Sequence, residues 1–288
     1  MIKKPMLAGK LESVSDLKFP VYVTPKLDGI RCIKIHGKAL SRKLIEIPNR
    51  YIQKMMSSLP DGLDGELILE GKSFNESQSA IMTEDGEPDF SYYIFDYVTN
   101  DLKESYLLRT KGLSDLSLPN FCKKLIPKKV DSLNDFISFE QKCLSENYEG
   151  VMLRTASGPY KCGRSTEKEG YLLKYKRFED SDAEIIGYER LKTNNNEQET
   201  DNLGNTKRSK KKAGLEELDL IGSLLVKDIH SGIEFSIGSG FTEDLRLNLW
   251  KNKESLLGKI IKYQFQPAGA KEKPRFPTFI SFRDKRDL

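Results

Sequence analysis

Cysteine and histidine, from which zinc sites and nucleophilic triads are built, are scarce in this sequence. The 288 residues include four cysteines and two histidines, which are Cys32, Cys122, Cys143, Cys162, His36 and His230. No cysteine pair has C-x-x-C spacing, so we expect no structural zinc site. The shortage of histidine also argues against a Cys-His or Ser-His catalytic pair. We expect unpaired, mostly buried cysteines in a reducing compartment.

Long apolar runs are absent as well. No stretch approaches the roughly 20 apolar residues that a membrane helix needs, and residues 1–10 lack the apolar segment of a secretion signal. We therefore expect a cytoplasmic protein without membrane attachment. With 38% hydrophobic and 31% charged residues, the composition is typical of a globular protein with one large domain or two smaller ones.

The net charge of +4, from 47 basic and 43 acidic residues, is only mildly positive. Such a balance permits nucleic-acid binding, so local clusters have to decide the question. One cluster lies in an insert over residues 193–214 that is rich in Asn, Gln, Thr and Lys, where five of the six residues 207–212 are basic. Its composition alone favours a solvated, disordered loop, with a nucleic-acid-binding arm as the alternative.

The first part of the chain mixes strand and helix patterns. Residues 21–26 and 30–35 are β-branched runs on either side of Asp28-Gly29, which predicts a β-hairpin. Residues 49–59 and 133–144 have helical periodicity. Alternation along the strand predicted at 92–98 places Tyr93 and Phe95 on one face. Further strands are predicted over 63–69, 150–154 and 171–175.

The composition changes at the charged stretch 177–182, where we expect a domain boundary. We predict a first domain over 1–178 and a second over 179–288 that contains the basic insert. Strands are expected at 183–187, 222–226, 233–237 and 260–265, with one helix at 242–257. A few strands around one helix suit a five-stranded OB-fold barrel.

Six motifs follow one another in a fixed order along the chain. They are Lys26-Leu27-Asp28-Gly29-Ile30-Arg31, Asp64-Gly65-Glu66, Tyr92-Tyr93-Ile94-Phe95-Asp96, Glu149-Gly150-Val151-Met152-Leu153-Arg154, Leu173-Lys174-Tyr175-Lys176, and Arg275-Phe276-Pro277 with Arg283-Asp284-Lys285. The first alone is a common polar turn, but the ordered set resembles the covalent nucleotidyltransferases, and most closely the small phage- and virus-type ATP-dependent DNA ligases. This resemblance covers nearly the whole chain. It implies an α+β fold, with an ATP-grasp-like nucleotidyltransferase domain of antiparallel sheets and flanking helices followed by an OB-fold β-barrel.

The resemblance implies that Lys26 is the nucleophile and becomes covalently linked to AMP from ATP. An amine attacks phosphorus only when neutral, a form that nearby positive charge favours. The last motif, on the second domain, is implied to orient the pyrophosphate leaving group. The other implied catalytic residues are Asp28, Lys174, Lys176, Arg283 and Lys285.

A nucleotide pocket is implied around the same lysine. Phe95 corresponds to an aromatic residue that stacks on the purine, and Glu149 and Glu66 supply carboxylates for Mg²⁺ or Mn²⁺. Thr24 stands where longer relatives often have an acid that reads the adenine amino group, so selectivity for ATP would depend on backbone groups near Thr24 and Pro25. The full implied nucleotide-binding set is Thr24, Pro25, Lys26, Arg31, Arg42, Glu66, Phe95, Glu149, Lys174 and Lys176.

The implied partner is nicked duplex DNA, bound by a monomer. Arg42 corresponds to an arginine that holds the 5′-phosphate of a nick, and the basic insert resembles a DNA-clamping latch. The implied DNA-binding residues are Arg42, Lys207, Arg208, Lys210 and Lys211. If the source is a virus, the enzyme would act in the host cytoplasm.

The implied activity is ATP-dependent sealing of nicks through a lysyl-AMP and an adenylated DNA 5′ end. Two alternatives use the same lysyl-nucleotide chemistry, an RNA ligase and an mRNA-capping guanylyltransferase. A third is a DNA-binding OB module with a degenerate transferase domain. The last motif and the basic insert favour the DNA ligase over the first two, and the intact lysines and Glu149 argue against the third.

Overall fold

A computed structural model of the chain describes residues 2–99, 101–201, 204, 206–209, 211–266 and 273–283. The chain divides into two compact units. The first comprises Met1–Tyr175 with Thr200–Thr206, and the second Lys176–Glu199 with Lys207–Leu288. Among the described residues, no helix is long and apolar enough to cross a membrane.

The described residues of the first unit form four α-helices and twelve strands. The helices are α1 (Arg50–Met56), α2 (Phe74–Met82), α3 (Tyr106–Asp115) and α4 (Leu133–Ser145). The strands are β1 (Met6–Leu7), β2 (Gly9–Lys10), β3 (Val21–Pro25), β4 (Ile30–Ile35), β5 (Lys38–Leu40), β6 (Leu63–Ile68), β7 (Ser91–Tyr97), β8 (Cys122–Lys124), β9 (Lys128–Val130), β10 (Val151–Arg154), β11 (Gly163–Arg164) and β12 (Leu173–Tyr175). Both predicted helices are confirmed, as α1 and α4, whereas α3 was not predicted.

Two five-stranded sheets form the framework of this unit, with strand orders β2-β12-β10-β3-β9 and β5-β4-β6-β7-β8. The predicted hairpin is wrong, because β3 and β4 belong to different sheets. Val23 of β3 lies in one buried cluster with Val151, and Ile30 of β4 lies in another with Leu67. Because each strand packs in a different buried cluster, the segment between them crosses from one sheet to the other.

The second unit is built on one five-stranded antiparallel sheet and a helix. Its strands are β13 (Glu179–Asn194), β16 (Leu215–Asp228), β17 (Glu234–Ile237), β18 (Ile260–Gln266) and β19 (Arg275–Phe282), and its helix is α5 (Glu243–Lys251). Two short strands, β14 (Gln198–Thr200) and β15 (Thr206–Arg208), include the boundaries between the two units at 199/200 and 206/207. The sheet order is β17-β16-β13-β18-β19, and a bridge between Ser239 and Thr278 brings its two edges together. A separate buried cluster includes Ile185, Leu224 and Tyr263. The predicted mixed α+β class is confirmed.

A two-stranded ribbon projects from this sheet. Strands β13 and β16 continue their antiparallel pairing as far as Asn194 and Leu215, and β14 and β15 form a further pair beyond that point. The predicted strands at 183–187 and 222–226 are short parts of these two long strands. Lys207 and Arg208 are exposed on β15. We call the basic insert, residues 193–214, the arm.

Candidate active site

A cavity of about 420 Å³ opens in the first unit and is lined by both of its sheets. Most of the site residues expected in this unit come together here. Those that line it are Thr24, Pro25, Lys26, Asp28, Arg31, Arg42, Glu66, Phe95 and Lys174. Lining residues that were not predicted include Lys43, Met152, Arg154 and Arg164.

The segment that crosses between the sheets, residues 26–29, forms one wall of this cavity and is fixed at both ends. The Lys26 backbone N–H donates to the Gly150 carbonyl at 2.9 Å, and the Gly29 N–H donates to Glu66 Oε2 at 3.1 Å. A Cβ at Gly29 would lie only 2.8 Å from the Leu67 carbonyl oxygen. Glycine is therefore needed for the close approach of this segment to β6.

The Lys26 side chain points to the cavity and forms an ion pair with Glu149, in which Nζ donates to Oε2. Glu149 is buried, so the pair combines a sheltered carboxylate with an ammonium at the cavity wall. Lys26 Nζ also reaches the Leu27 carbonyl at 3.3 Å. This lysine is consequently held in a defined position beside Glu149.

Glu66 is the second carboxylate at the cavity, and its environment works against its charge. Burial raises the pKa of Glu66 to about 7, in spite of Lys26, Arg31 and the Gly29 N–H, which favour the ionised form. The neighbouring Glu149 adds to the rise through like-charge repulsion. Glu66 therefore exchanges its proton near neutral pH, unlike an exposed glutamate.

Arg31 and Phe95 form a stacked pair beside the crossing segment. The guanidinium carbon lies 4.7 Å from the centre of the Phe95 ring. Asp64 grips the same guanidinium with both oxygens, at 2.5 Å from Nε and 2.6 Å from Nη2. Burial opposes the charge of Arg31, but Asp64 outweighs it and the pKa of Arg31 rises above its usual value. Arg31 thus supports the Phe95 ring as well as lining the cavity.

A second buried ion network lies next to Phe95. Asp96 accepts from Arg109 Nε at 2.7 Å and from Arg154 Nη1 at 2.7 Å. The Arg154 guanidinium carbon is 6.0 Å from the Phe95 ring centre. Strand alternation correctly places Asp96 on the face of β7 opposite Phe95, but no sequence signal links it to Arg109 on α3.

Positive charge gathers at the cavity. Its lining cations include Arg42, Lys43, Arg164 and Lys174. Arg164 is anchored through a hydrogen bond from Nη1 to the Ala8 carbonyl at 2.6 Å. Because guanidinium and ammonium groups bind phosphate oxygens strongly, this arrangement suits an anionic ligand with several phosphates.

Other predicted site residues belong to the second unit. Lys176 Nζ lies 6.0 Å from the centre of the Phe276 ring, and Arg283 Nε donates to Asp182 Oδ1 at 2.8 Å. Lys207, Arg208 and Lys211 are exposed on the arm. The predicted residues Lys210 and Lys285 lie outside the described residues, as does Asp284.

A metal ion at this site would be held by Glu66, which lines the cavity, and by Glu149, which is paired with Lys26. Within the described part of the chain, no group of three or more His, Cys, Asp and Glu side chains could hold a metal. Mg²⁺ often uses one or two carboxylates, with phosphate oxygens and water completing its shell. The pair therefore fits Mg²⁺ bound together with a phosphate ligand, and it does not fit an all-protein metal cage.

Comparison with protein families identifies both parts of the chain. A family model for the ATP dependent DNA ligase domain matches residues 5–176, which is more than half of the chain. A second model, for the DNA ligase OB-like domain, matches residues 218–283.

Similar proteins include viral ligases. The DNA ligase of African swine fever virus (strain Badajoz 1971 Vero-adapted) is 26% identical over 134 residues, which is 44% of this chain and 31% of that protein. The chain thus matches about a third of the length of this curated relative. The crystal structure of Chlorella virus DNA ligase-adenylate is 37% identical, with a TM-score of 0.57 over 98% of this chain and 100% of that one. A structure of the Lig E DNA ligases is 23% identical with a TM-score of 0.73 over 98% and 100% of the two chains, a likeness of fold.

Proposed function

The chain belongs to the ATP-dependent DNA ligases, and from this premise we propose that it seals nicks with a 3′-hydroxyl and a 5′-phosphate in duplex DNA. The observation that supports this most directly is the position of Lys26, which is fixed at the wall of a cavity lined with cations. A nucleophilic amine next to a phosphate-binding surface suits attack on a nucleotide.

In the first step, Lys26 Nζ attacks the α-phosphate of the substrate ATP. An N–P bond forms, the bond to pyrophosphate breaks, and a lysyl-AMP results. The attack needs the neutral amine, so the Lys26 ammonium leaves its ion pair with Glu149 and gives one proton to solvent water before the N–P bond forms. Lys174 at the cavity stabilises the charge on the phosphate, because such transfers depend mainly on positioning and electrostatics. We also assign Asp28, on the same crossing segment, to the catalytic residues of this step.

The base of ATP stacks on Phe95, whose ring lines the cavity and is supported by Arg31. Thr24 and Pro25, at the end of β3, form the adjoining wall and supply backbone groups for base recognition. Glu66 lies close enough to the crossing segment to bind the Gly29 N–H and serves the ribose. Selectivity between purines therefore depends on these backbone groups, because stacking on an aromatic ring accepts any base.

Glu149 and Glu66 would hold Mg²⁺ (or Mn²⁺). Bound there, the ion would neutralise negative charge on the phosphate oxygens of ATP. The raised pKa of Glu66 favours this assignment, because a cation offsets the cost of ionising a sheltered carboxyl.

In the later steps AMP passes from Lys26 to the 5′-phosphate of the nick, and the adjacent 3′-hydroxyl then attacks that phosphate and expels AMP. Arg42 binds the 5′-phosphate, and Lys207, Arg208, Lys210 and Lys211 on the arm bind the DNA backbone. Backbone contacts suffice because nicks occur in any sequence. Lys176 joins Lys174 in binding the α-phosphate during the first step, and Arg283 and Lys285 of the last motif orient the pyrophosphate.

We assign residues 1–178 to an adenylation domain and 179–288 to an OB-fold domain with the arm. The family models at 5–176 and 218–283 support this division. The protein acts as a monomer in the cytoplasm, which is the host cytoplasm if the source is a virus.

Strand joining on a singly nicked duplex tests the proposal directly. With ATP and Mg²⁺, a denaturing gel should show conversion of the two short strands to one long strand. If the protein is labelled by α-labelled ATP or GTP yet joins no DNA, the substrate is instead an RNA end, as in an RNA ligase or a capping guanylyltransferase.

The Lys26→Ala variant separates chemistry from binding. Without the amine there is no acceptor for AMP, so labelling by α-labelled ATP should disappear, while affinity for nicked DNA in a gel-shift assay stays within about twofold. Labelling that persists in this variant would assign the nucleophile to another residue.

A further inference from the structure

Tyr160 is a buried tyrosine behind the cavity. Its side chain is only 2% exposed. The hydroxyl donates to Asp64 Oδ2 at 2.7 Å and accepts from the Met6 backbone N–H at 3.1 Å. Burial, and after it Asp64, raises the pKa of Tyr160 well above its usual value. The hydroxyl therefore keeps its proton and remains a donor to Asp64.

Asp64 is fully buried and binds Arg31 as well as Tyr160. Its Oδ1 accepts from Arg31 Nε, and its Oδ2 accepts both Arg31 Nη2 and the Tyr160 hydroxyl. A carboxylate held from two directions has one preferred orientation. Without the hydroxyl, Oδ2 would lose a buried donor and the plane of the carboxylate could rotate.

We propose that Tyr160 is a positioning residue for the nucleotide, which acts through Asp64 and Arg31 to fix the ring of Phe95. The inference rests on the proposed function, in which ATP stacks on that ring. The guanidinium of Arg31 lies 4.7 Å from the ring centre, so the orientation of Asp64 sets the surface on which the ring rests. Tyr160 itself does not touch the cavity.

The same hydroxyl also connects this support to the segment bearing Arg164. Met6, whose N–H it accepts, begins β1, and β1 pairs with β11, where Leu7 lies opposite Arg164. Arg31 Nη2 reaches the carbonyl of Met6 at 3.4 Å. Tyr160 therefore connects β1 to β6. Loss of its hydroxyl should disturb the position of the Phe95 ring, on which the base stacks, more than the position of Lys26.

The Tyr160→Phe variant tests this role, since it removes the hydroxyl and keeps the ring. The ATP concentration for half-maximal labelling of the protein by α-labelled ATP should rise about tenfold, because hydrogen bonds to buried charged groups are among the strong ones. The labelling rate at saturating ATP should fall less than about threefold, because Lys26 is anchored separately by Gly150 and Glu149.

Tyr92→Phe is the matched control. Tyr92 is also fully buried, and its hydroxyl donates to the Cys32 carbonyl at 3.0 Å, a backbone group with no part in the Asp64 contact. Tyr160→Phe loses two buried hydrogen bonds, one to Asp64 and one from the Met6 N–H, and Tyr92→Phe loses one, so the thermal stability of both should fall, and that of Tyr160→Phe by more. Only Tyr160→Phe should raise the ATP requirement, whereas Tyr92→Phe should stay within about twofold of the wild type.

Asp64→Asn provides a second, independent test, which also applies if Tyr160→Phe does not fold. Its weaker binding of Arg31 should raise the ATP concentration for half-maximal labelling at least as much as Tyr160→Phe does. Adding Tyr160→Phe to Asp64→Asn should cause little further change, because both act through one contact. Half-saturation at the wild-type ATP concentration in Tyr160→Phe, or in Asp64→Asn, would overturn the inference. A wild-type protein that takes no label would overturn the proposed function instead.

Discussion

Glu66 occupies an unusual position for a glutamate, because it lines a cavity that also contains several cations and nevertheless keeps its proton up to about pH 7. Its pKa of about 7 results first from burial and is only partly offset by Lys26 and Arg31. Folding therefore raises the affinity of this carboxyl for a proton relative to the unfolded chain, where glutamate has its ordinary pKa of about 4.5.

A pH dependence of stability follows from this shift. Below about pH 4.5 Glu66 is protonated in both states, whereas between about pH 4.5 and 7 the unfolded chain releases the proton that the folded chain retains. Stability due to this group is therefore greatest at low pH and is lost as the pH rises to 7. In metal-free buffer, Glu66→Gln should remove about 2 kcal/mol of this fall in the free energy of unfolding.

Urea unfolding of both proteins at pH 4.5 and pH 7 measures the effect. The control is Glu70→Gln, which changes an exposed glutamate just beyond β6. The wild type and the Glu70 variant should lose similar stability over this range. An equal loss in Glu66→Gln would show that its carboxyl titrates like an exposed one.

Local sequence patterns predicted which side chains share a face of β7, but not which distant residues bind the buried ones. Alternation along the strand depends only on neighbouring residues, so the placement of Phe95 opposite Asp96 followed from the sequence. The pairing of Tyr160 with Asp64 joins residues 96 positions apart, and no periodicity reports such a distance. For Asp64, the motif Asp64-Gly65-Glu66 was recognised without a role for its first residue.

Among the elements, strand pairing was harder to predict than strand position. The sequence indicated both β3 and β4, but the Asp28-Gly29 turn signal cannot specify a partner, and each strand joins a different sheet. The long strands β13 and β16 were predicted only in part. Their outer ends are charged and exposed, so they lack the apolar alternation by which strands are recognised.

The arm is the element whose proposed role is easiest to test. Lys207→Ala combined with Arg208→Ala removes two exposed positive charges. If both contact DNA phosphates, binding to a nicked duplex should weaken, and the slope of log K against log salt should become shallower by roughly 1–2 units. Fluorescence anisotropy between low and moderate salt concentration gives this slope.

A control pair loses the same charge elsewhere in the second unit. Lys227→Ala combined with Lys251→Ala also removes two exposed lysines and should leave the slope nearly unchanged. If the arm variant keeps the wild-type slope, the arm does not contact DNA. If both pairs reduce the slope equally, the effect reflects overall charge.

On the scale of the whole molecule, each buried cluster is confined to one unit, and the single tryptophan reports on only one of them. Trp250 packs against the core of the second unit, whereas the Asp96 network is buried in the first. The two units can therefore be followed separately during unfolding.

Asp96→Asn should destabilise the first unit by about 3 kcal/mol, because Arg109 and Arg154 would lose a shared buried counter-charge. The urea transition seen by far-UV circular dichroism should move to lower concentration, while the Trp250 fluorescence transition stays in place. Asp228→Asn is the reciprocal control, since Asp228 accepts from Ser181 and Tyr263 in the second unit. It should shift the fluorescence transition while the part of the circular dichroism change that comes from the first unit stays in place. A shift of both signals as a whole in either variant would show that the units unfold together.

The ribbon formed by β13 and β16 limits how the length of the arm can vary. Apart from three irregularities in the pairing, the last of them between Arg190 and Lys192, its side chains alternate between two faces, and pairing continues to Asn194 and Leu215. Deleting one residue from each strand would turn the basic tip over, whereas deleting two from each would shorten the ribbon by about 7 Å and preserve its orientation. Functional arms of different length, whether natural or engineered, should thus differ by even numbers of residues per strand.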